Sequence, residues 1–362
     1  MIRLALVHTH VEHDWEPKFL LRVKREVSER GAEFGLQLVE SVEQADVVFY
    51  VDSSKSTKRL SDHQKILRWA GEQGKFVFSL SIEDRPAGVL PGLYSSLESL
   101  NFDSSLHLSW PHLESPNSHV GRITTRPPEH ADWLFTFSGS CSHRLRKKLF
   151  SMYGSDQQGD WKVNEVDRWY DHTKQEEENY IEDILNSHFV LCPRGIASYS
   201  HRIFETMLLE RVPVIIADDW VPFSFAQPDY FVKIAEKDIE NLTSILEQEL
   251  ERYHFYMSNI LKAKSNWLAC DTRYCTAIEQ FLNFHSQRKD EHDPTVLLDR
   301  LKSFEFRKKN GFLSYQRISE SAYCLPRRGK KLIKKIGVRC TKMLAGNQGT
   351  APSKPGIGDN AS

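Results

Sequence analysis

The sequence predicts an α/β protein of two domains, each built on a parallel sheet, and three observations carry that expectation. The chain has 362 residues, more than a single hydrophobic core usually organises. Apolar strand-like runs alternate with segments of helical periodicity, the pattern of a parallel sheet covered by helices. The alternation lapses over residues 83–129, where Pro, Ser, Asn and His are frequent, and then resumes.

The first half of the pattern begins at the N-terminus. Ile2 to Val7 reads as a buried strand, Phe19 to Gly31 as a helix ending at a glycine, and Asp46 to Asp52 as a second strand. Ser61 to Gly74 is helical in period, and Lys75 to Ile82 is a third strand. After the irregular connection, Trp133 to Phe137 reads as a strand followed by Ser138-Gly139-Ser140 and a basic helix over 143–153. Helix 175–187, strand 189–192, helix 200–210, strand 212–217 and a short strand at 231–234 follow, with residues 239–284 mostly helical. The expected organisation is an N-terminal domain over 1–125, a second domain over 126–290, a helical extension over 291–345, and a polar tail over 346–362 rich in Gly, Pro, Ser and Asn.

Bulk composition narrows the function classes. Lys plus Arg (48) nearly balances Asp plus Glu (49), so the chain has no general attraction for nucleic acid and a basic site must be local. Six cysteines are scattered. Cys270 and Cys275 stand five apart, a spacing open to a disulfide or half a metal site, yet no second pair sits at zinc spacing, and free thiols in a reducing compartment are the expectation. The short apolar N-terminus lacks the pattern of a signal peptide, and no window approaches the roughly 20 apolar residues of a membrane span. The expected location is the cytoplasm.

Chemistry concentrates in the strand–loop–helix–strand stretch from Asn186 to Phe223. Ligands of open parallel sheets bind beyond the carboxyl ends of strands, where loops meet helix starts. Here that loop holds Cys192-Pro-Arg-Gly195 and small or hydroxyl residues up to Ser200. Arg194 in the loop and Arg202 at the helix start can converge on a diphosphate, since a guanidinium donates a fork of hydrogen bonds to phosphate oxygens. Glu205, three residues after Arg202 on the same face, suits ribose hydroxyls; on spacing alone the two are equally an exposed ion pair.

Joined together, Cys192-Pro-Arg-Gly195, Ser200-x-Arg202-x-x-Glu205 and Val212-Pro-Val-Ile-Ile-Ala-Asp218 leading to Pro222-Phe223 resemble the exostosin-like inverting glycosyltransferases. Phe135-Thr-Phe-Ser-Gly139, followed by Arg144 and Arg146, is similar to that family's strand-Gly-Arg element. The likeness covers residues 120–240 well and the N-terminal third only in topology. It implies the GT-B architecture, two Rossmann-like domains with parallel sheets facing a central cleft, and a nucleotide-sugar co-substrate, a UDP-sugar, rather than a resident cofactor. Arg194, Arg202 and Glu205 would take the donor's diphosphate and ribose, Gly139 and Gly195 would admit close backbone approach, and Ser200, Arg144 and Asp218 would lie beside it. The loop between Gly195 and Ser200, Ile-Ala-Ser-Tyr, is less glycine-rich than the family pattern.

Inversion needs a general base for the acceptor hydroxyl. In GT-B enzymes it comes from the N-terminal domain, and His8, His10 and Asp84 stand at strand ends there. Asp218-Asp219 is not an Asp-x-Asp, and adjacent side chains diverge, so no essential metal is expected. Eight Lys and Arg residues between Arg327 and Lys342 interleave with apolar residues at helical spacing. That segment, 327–344, reads either as an anchor to anionic lipid at the inner membrane face, suited to a lipid-linked glycan acceptor, or as a helix packed on the N-terminal domain. Two alternatives share the site: a fucosyltransferase-like enzyme using a GDP-sugar, and a non-catalytic subunit that keeps the fold.

Overall fold

A computed structural model describes residues 1–303 apart from 9–14, 53–59, 85, 112–119, 121–130, 155–158, 168–171, 225–228 and 269–270. The basic segment 327–344 and the tail lie outside the described residues.

Two wholly parallel sheets make up the fold. The first contains β1 (Ile2–His8), β2 (Leu36–Leu38), β3 (Val47–Asp52), β4 (Phe76–Ser81), β5 (Gly92–Tyr94) and β6 (His107–Ser109), with α1 (Trp15–Arg30) and α2 (Leu60–Glu72) in its crossovers. Its spatial order is β2, β1, β3, β4, β5, β6. The second contains β7 (Trp133–Gly139), β8 (Trp161–Glu165), β9 (Ser187–Pro193), β10 (Val212–Ile216) and β11 (Val232–Lys233). Between them run α3 (Arg144–Tyr153), α4 (Lys174–Leu185) and α5 (Arg202–Leu208). Its order is β11, β10, β9, β7, β8. Both sheets therefore grow outward in opposite directions from their first strand, and the crevice of such a sheet opens where the order reverses: between β1 and β3, and between β7 and β9.

Local chemistry explains the element starts. Thr173 and Glu176 form a capping box at α4, each side chain bonding the other's main-chain N–H. Asp293 caps α9 (Pro294–Lys302) through Thr295 N, with Pro294 at the first helical position. His143 caps α3, its ring nitrogen accepting from Leu145 N.

The structure departs from the sequence expectation in four places. The irregular connection 83–129, in which the sequence leaves room for one or two short strands, supplies β5 and β6 of the first sheet, whereas β2 and β8 escape detection because three to five residues carry too little periodicity. The expected helix 200–210 is α5, only Arg202–Leu208, and it ends before Glu210, which has φ +55°. The long helical stretch after 239 breaks into α6 (Leu242–Glu249), α7 (Tyr253–Ala263) and α8 (Arg273–Ser286). The last of these leaves the second domain, to which the sequence assigned residues up to 290. Tyr274, Ile278, Phe281 and Leu282 of α8 are buried with Phe49, Phe78 and Leu93 of the first sheet, and α9 lays Leu297 and Leu301 against the other face with Leu67 and Val77. Apolar faces of similar period do not declare which sheet they cover.

Cys275 is a free, buried thiol, its proton directed at Glu26 O at 3.7 Å, while Cys270 lies outside the described residues. The two sheets belong to one compact unit, Met1–Ser314. They meet through main chain: Ser99 N donates to Asp219 O at 2.8 Å, and Ser224 N to Ser109 O at 2.8 Å.

Candidate active site

The strand ends at the second switch point carry the site. β7 and β9 pair from Trp133↔Ser187 to Thr136↔Val190. Beyond that pairing, the main-chain oxygen of Ser138 accepts a hydrogen bond from Arg202 Nη2. The Arg202 guanidinium lies 4.8 Å from the Phe137 ring centroid and 5.8 Å from that of Tyr180, two cation–π contacts that hold its plane. Its Nε and Nη1 are buried without a hydrogen-bond partner. Burying donors of a charged group unpaired is costly, and a polyanionic ligand would supply what these nitrogens lack.

Gly139 makes room for this arrangement. A Cβ there would come within 3.1 Å of Arg202 Nη2 and 3.1 Å of Phe137. Glu205, one turn along α5, accepts from the Tyr180 hydroxyl at 2.7 Å. Burial first, then the Glu205 charge, raises the Tyr180 phenol well above its ordinary range, so the phenol stays a donor and Glu205 an acceptor. Tyr180 is a site residue that sequence reasoning missed; an aromatic inside an acidic helix advertises packing rather than a ligand.

Arg194 has a different setting. It is 6% exposed and faces three carboxylates: Glu98 at 3.0 Å, Asp219 at 3.2 Å and Glu236 at 3.8 Å. Burial lifts the Glu236 carboxyl above its ordinary range, while a hydrogen bond from Asp218 N and the Arg194 charge pull the other way. A donor phosphate reaching Arg194 would have to displace carboxylates already there. Among the described residues no carboxylate forms an ion pair with the Arg202 guanidinium.

The remaining sequence candidates divide. Gly195 lies in the same loop, its N–H donating to Ala197 O at 3.1 Å. Ser200 precedes α5, its carbonyl accepting from Ile203 N. Asp218 is exposed and turned to the neighbouring loop, where its carboxylate accepts from Glu236 N at 2.9 Å; Asp219 is the acid of the pair that meets Arg194. Arg144 is exposed at the start of α3, and its partner in the sequence motif, Arg146, is the one that turns into the site. Since α5 spans seven residues, the guanidinium groups outweigh a helix dipole as the positive element.

Of the proposed bases, His8 ends β1 at the switch point of the first sheet. Asp84 is exposed in a bend after β4, and His10 lies outside the described residues. Glu98, not a sequence candidate, is the first-sheet carboxylate that reaches Arg194. Nothing in its local sequence marks it, because its partner is 96 residues away.

Comparison with known proteins bears on the same region. Residues 91–248 match the model of the Exostosin GT47 domain. The chain is 34% identical over 143 residues to a protein of Physcomitrium patens named "Probable glucuronosyltransferase 47 A", covering 37% of this chain and 31% of that one. It is 35% identical over 126 residues to "Probable beta-1,4-xylosyltransferase IRX10" of Arabidopsis thaliana, covering 33% and 30%. The matched region thus spans about a third of the length of these curated relatives. Among solved structures, an α1,3-fucosyltransferase aligns over 84% of this chain and 91% of its own at 14% identity and TM-score 0.42. The pieces that the sequence joined by resemblance, from Gly139 to Phe223, fall inside the matched segment, so over residues 91–248 the chain is similar to the Exostosin GT47 domain.

Proposed function

We propose that this chain is an inverting glycosyltransferase that moves a sugar from a UDP-sugar to a glycan or lipid-linked glycan acceptor. The observation that carries the reading is the half-buried Arg202 guanidinium at the β7/β9 switch point, clamped by Phe137, Tyr180 and Ser138 O, with two buried nitrogens lacking a hydrogen-bond partner among the described residues. Such a group suits the leaving diphosphate: preorganised charge that strengthens its interaction as the glycosidic bond to phosphate breaks. Glu205, held by Tyr180, would accept from the ribose hydroxyls, and Gly139 and Gly195 would let the donor approach main chain.

Cationic side chains supply the charge stabilisation in this reading, so a divalent metal is not required. The names of the relatives, glucuronosyl- and xylosyltransferases, make UDP-glucuronic acid and UDP-xylose the first donors to test. His8, at the first sheet's own switch point, is the base we assign to the acceptor hydroxyl, imidazole being the side chain that most often serves as a general base.

The test is a calorimetric binding screen of the purified chain against UDP, GDP, CMP and their sugar conjugates, repeated with Arg202→Ala and Glu205→Ala. Selective UDP binding lost in both variants supports the reading. Preference for GDP would favour the fucosyltransferase-like alternative, and wild-type binding by both variants would refute the site.

A further inference from the structure

Arg146 sits two residues into α3, half-buried, and each nitrogen of its guanidinium meets a main-chain carbonyl. Nε donates to Arg194 O at 3.2 Å, Nη2 to Pro193 O at 3.1 Å and Nη1 to Ser140 O at 3.4 Å. These carbonyls belong to the two loops that leave β7 and β9, on either side of the switch point. The charge of Arg146 therefore meets backbone dipoles, and its planar fork spans two segments that are no longer paired to each other at this level.

Two further contacts tie the fork to the proposed donor site. The Phe137 ring that carries Arg202 at 4.8 Å also lies 5.7 Å from the Arg146 guanidinium. At Gly195, a Cβ would fall 3.2 Å from Arg146 Nη2 and 3.1 Å from Ser142 Oγ. The loop main chain thus runs so close to the fork that a side chain at 195 would push one of them away.

We infer that Arg146 is a positioning residue of the nucleotide-sugar site: its fork pins the 193–195 loop to the loop after Gly139, so that the Gly195 main chain and Arg202 meet the donor in one geometry. The inference rests on the donor-site reading above. Arg146 acts through the loops and touches no reacting atom. A lysine keeps the charge but places one nitrogen where three are needed, and the loops lose their common strut.

The experiment uses the full-length chain and UDP as probe, with wild type, Arg146→Lys, Gly195→Ala, the double variant and Arg202→Ala. Affinity is measured by calorimetry, and donor and acceptor KM are measured with whichever sugar nucleotide wild type uses. Arg146→Lys is expected to weaken UDP binding and raise donor KM about tenfold or more, as expected for a misplaced site, while acceptor KM and Tm change little. Gly195→Ala should give a similar loss, and the double variant no more than the larger single loss, because both disturb one strut. Wild-type UDP affinity in Arg146→Lys, or losses that add in full in the double variant, overturns the inference. Should Arg146→Lys fail to fold, Gly195→Ala decides alone, with unchanged UDP affinity refuting the close-approach argument. If wild type binds no nucleotide, the donor-site reading fails, an outcome distinct from selective failure of the Arg146 variants.

Discussion

The Glu98 carboxylate lies 3.0 Å from the Arg194 guanidinium, joining a segment of the first sheet to the loop that ends β9 in the second. With Asp219 and Glu236 on the same guanidinium, Arg194 is a buried cross-link between the two halves, met by three carboxylates, whereas Arg202 is half-buried and two of its nitrogens lack a hydrogen-bond partner among the described residues. Structural and ligand-binding arginines should therefore separate by measurement.

Replacing Arg194 with Met removes the charge shared by the partly buried Glu98 and Glu236 and the more exposed Asp219 and should destabilise the fold by about 3 kcal/mol, the lower end of the cost of breaking a buried pair from one side. Arg202→Met should cost about 1 kcal/mol, since it gives up one hydrogen bond, to Ser138 O, while removing two buried donors that have no hydrogen-bond partner among the described residues. Urea unfolding of the two variants gives the comparison. Equal losses would mean that Arg202 is as structural as Arg194.

Donor affinity should show the reverse order. Arg202→Ala removes a charge-assisted contact worth about 1.5–3 kcal/mol, so UDP binding should weaken by roughly one to two orders of magnitude. Arg202→Lys should not restore it, because the clamp between Phe137 and Tyr180 is built for a planar group. Full affinity in the Lys variant would show that a point charge is enough.

Gly139→Ala tests the same site from the backbone. Its new methyl would crowd Arg202 Nη2 and the Phe137 ring, each 3.1 Å away. The guanidinium should shift, with UDP affinity falling about tenfold while the Tm drops by only a few degrees. A calorimetric titration beside a thermal melt reads both, and unchanged affinity would place the donor elsewhere.

For the base, His8→Ala should lower kcat by about two orders of magnitude or more, as expected for loss of general-base catalysis, and leave UDP binding as it was. Unchanged turnover would move the role to Asp84 or Glu98, which the parallel variants Asp84→Ala and Glu98→Gln decide.

Stability should also depend on pH through histidines away from the site. His285 and His292 face each other with Nδ1 atoms 2.9 Å apart, and His292 Nε2 meets Ser105 O at 2.9 Å. A carbonyl can only accept, so His292 carries its proton on Nε2 and accepts at Nδ1 from His285; charging both rings would set two N–H groups against each other. Burial, then the neighbouring His292, lowers His285 to about 4, and burial lowers His107 to about 3. With folded values below the unfolded one, the unfolded chain binds more protons and stability rises with pH. The contribution is full above about pH 6.5 and is lost as the pH falls toward the folded values. Thermal melts from pH 7.5 to 4 should show Tm falling, and His285→Phe with His292→Phe should flatten the slope. A pH-independent Tm would contradict the assignment.

Much of this molecule was legible in local sequence. The alternation of apolar runs and helical periods carries the parallel-sheet class, because burial on both faces leaves a pattern within each segment. The cluster from Cys192 to Phe223 and Gly139 announced the site, since strand ends, loops and helix starts are consecutive there. Long-range pairing left no such trace. Glu98 and Arg194 are 96 residues apart, and α8, whose apolar stripe would suit either sheet, covers the first. Arg144 and Arg146 show the limit most sharply: two positions apart on one basic helix, they point roughly 200° from each other, and only the packing of Leu145 and Leu149 into the core turns Arg146 inward and leaves Arg144 in solvent. Residue type and spacing pointed to a candidate site; which of two identical side chains turns toward it was decided by the face that the helix buries.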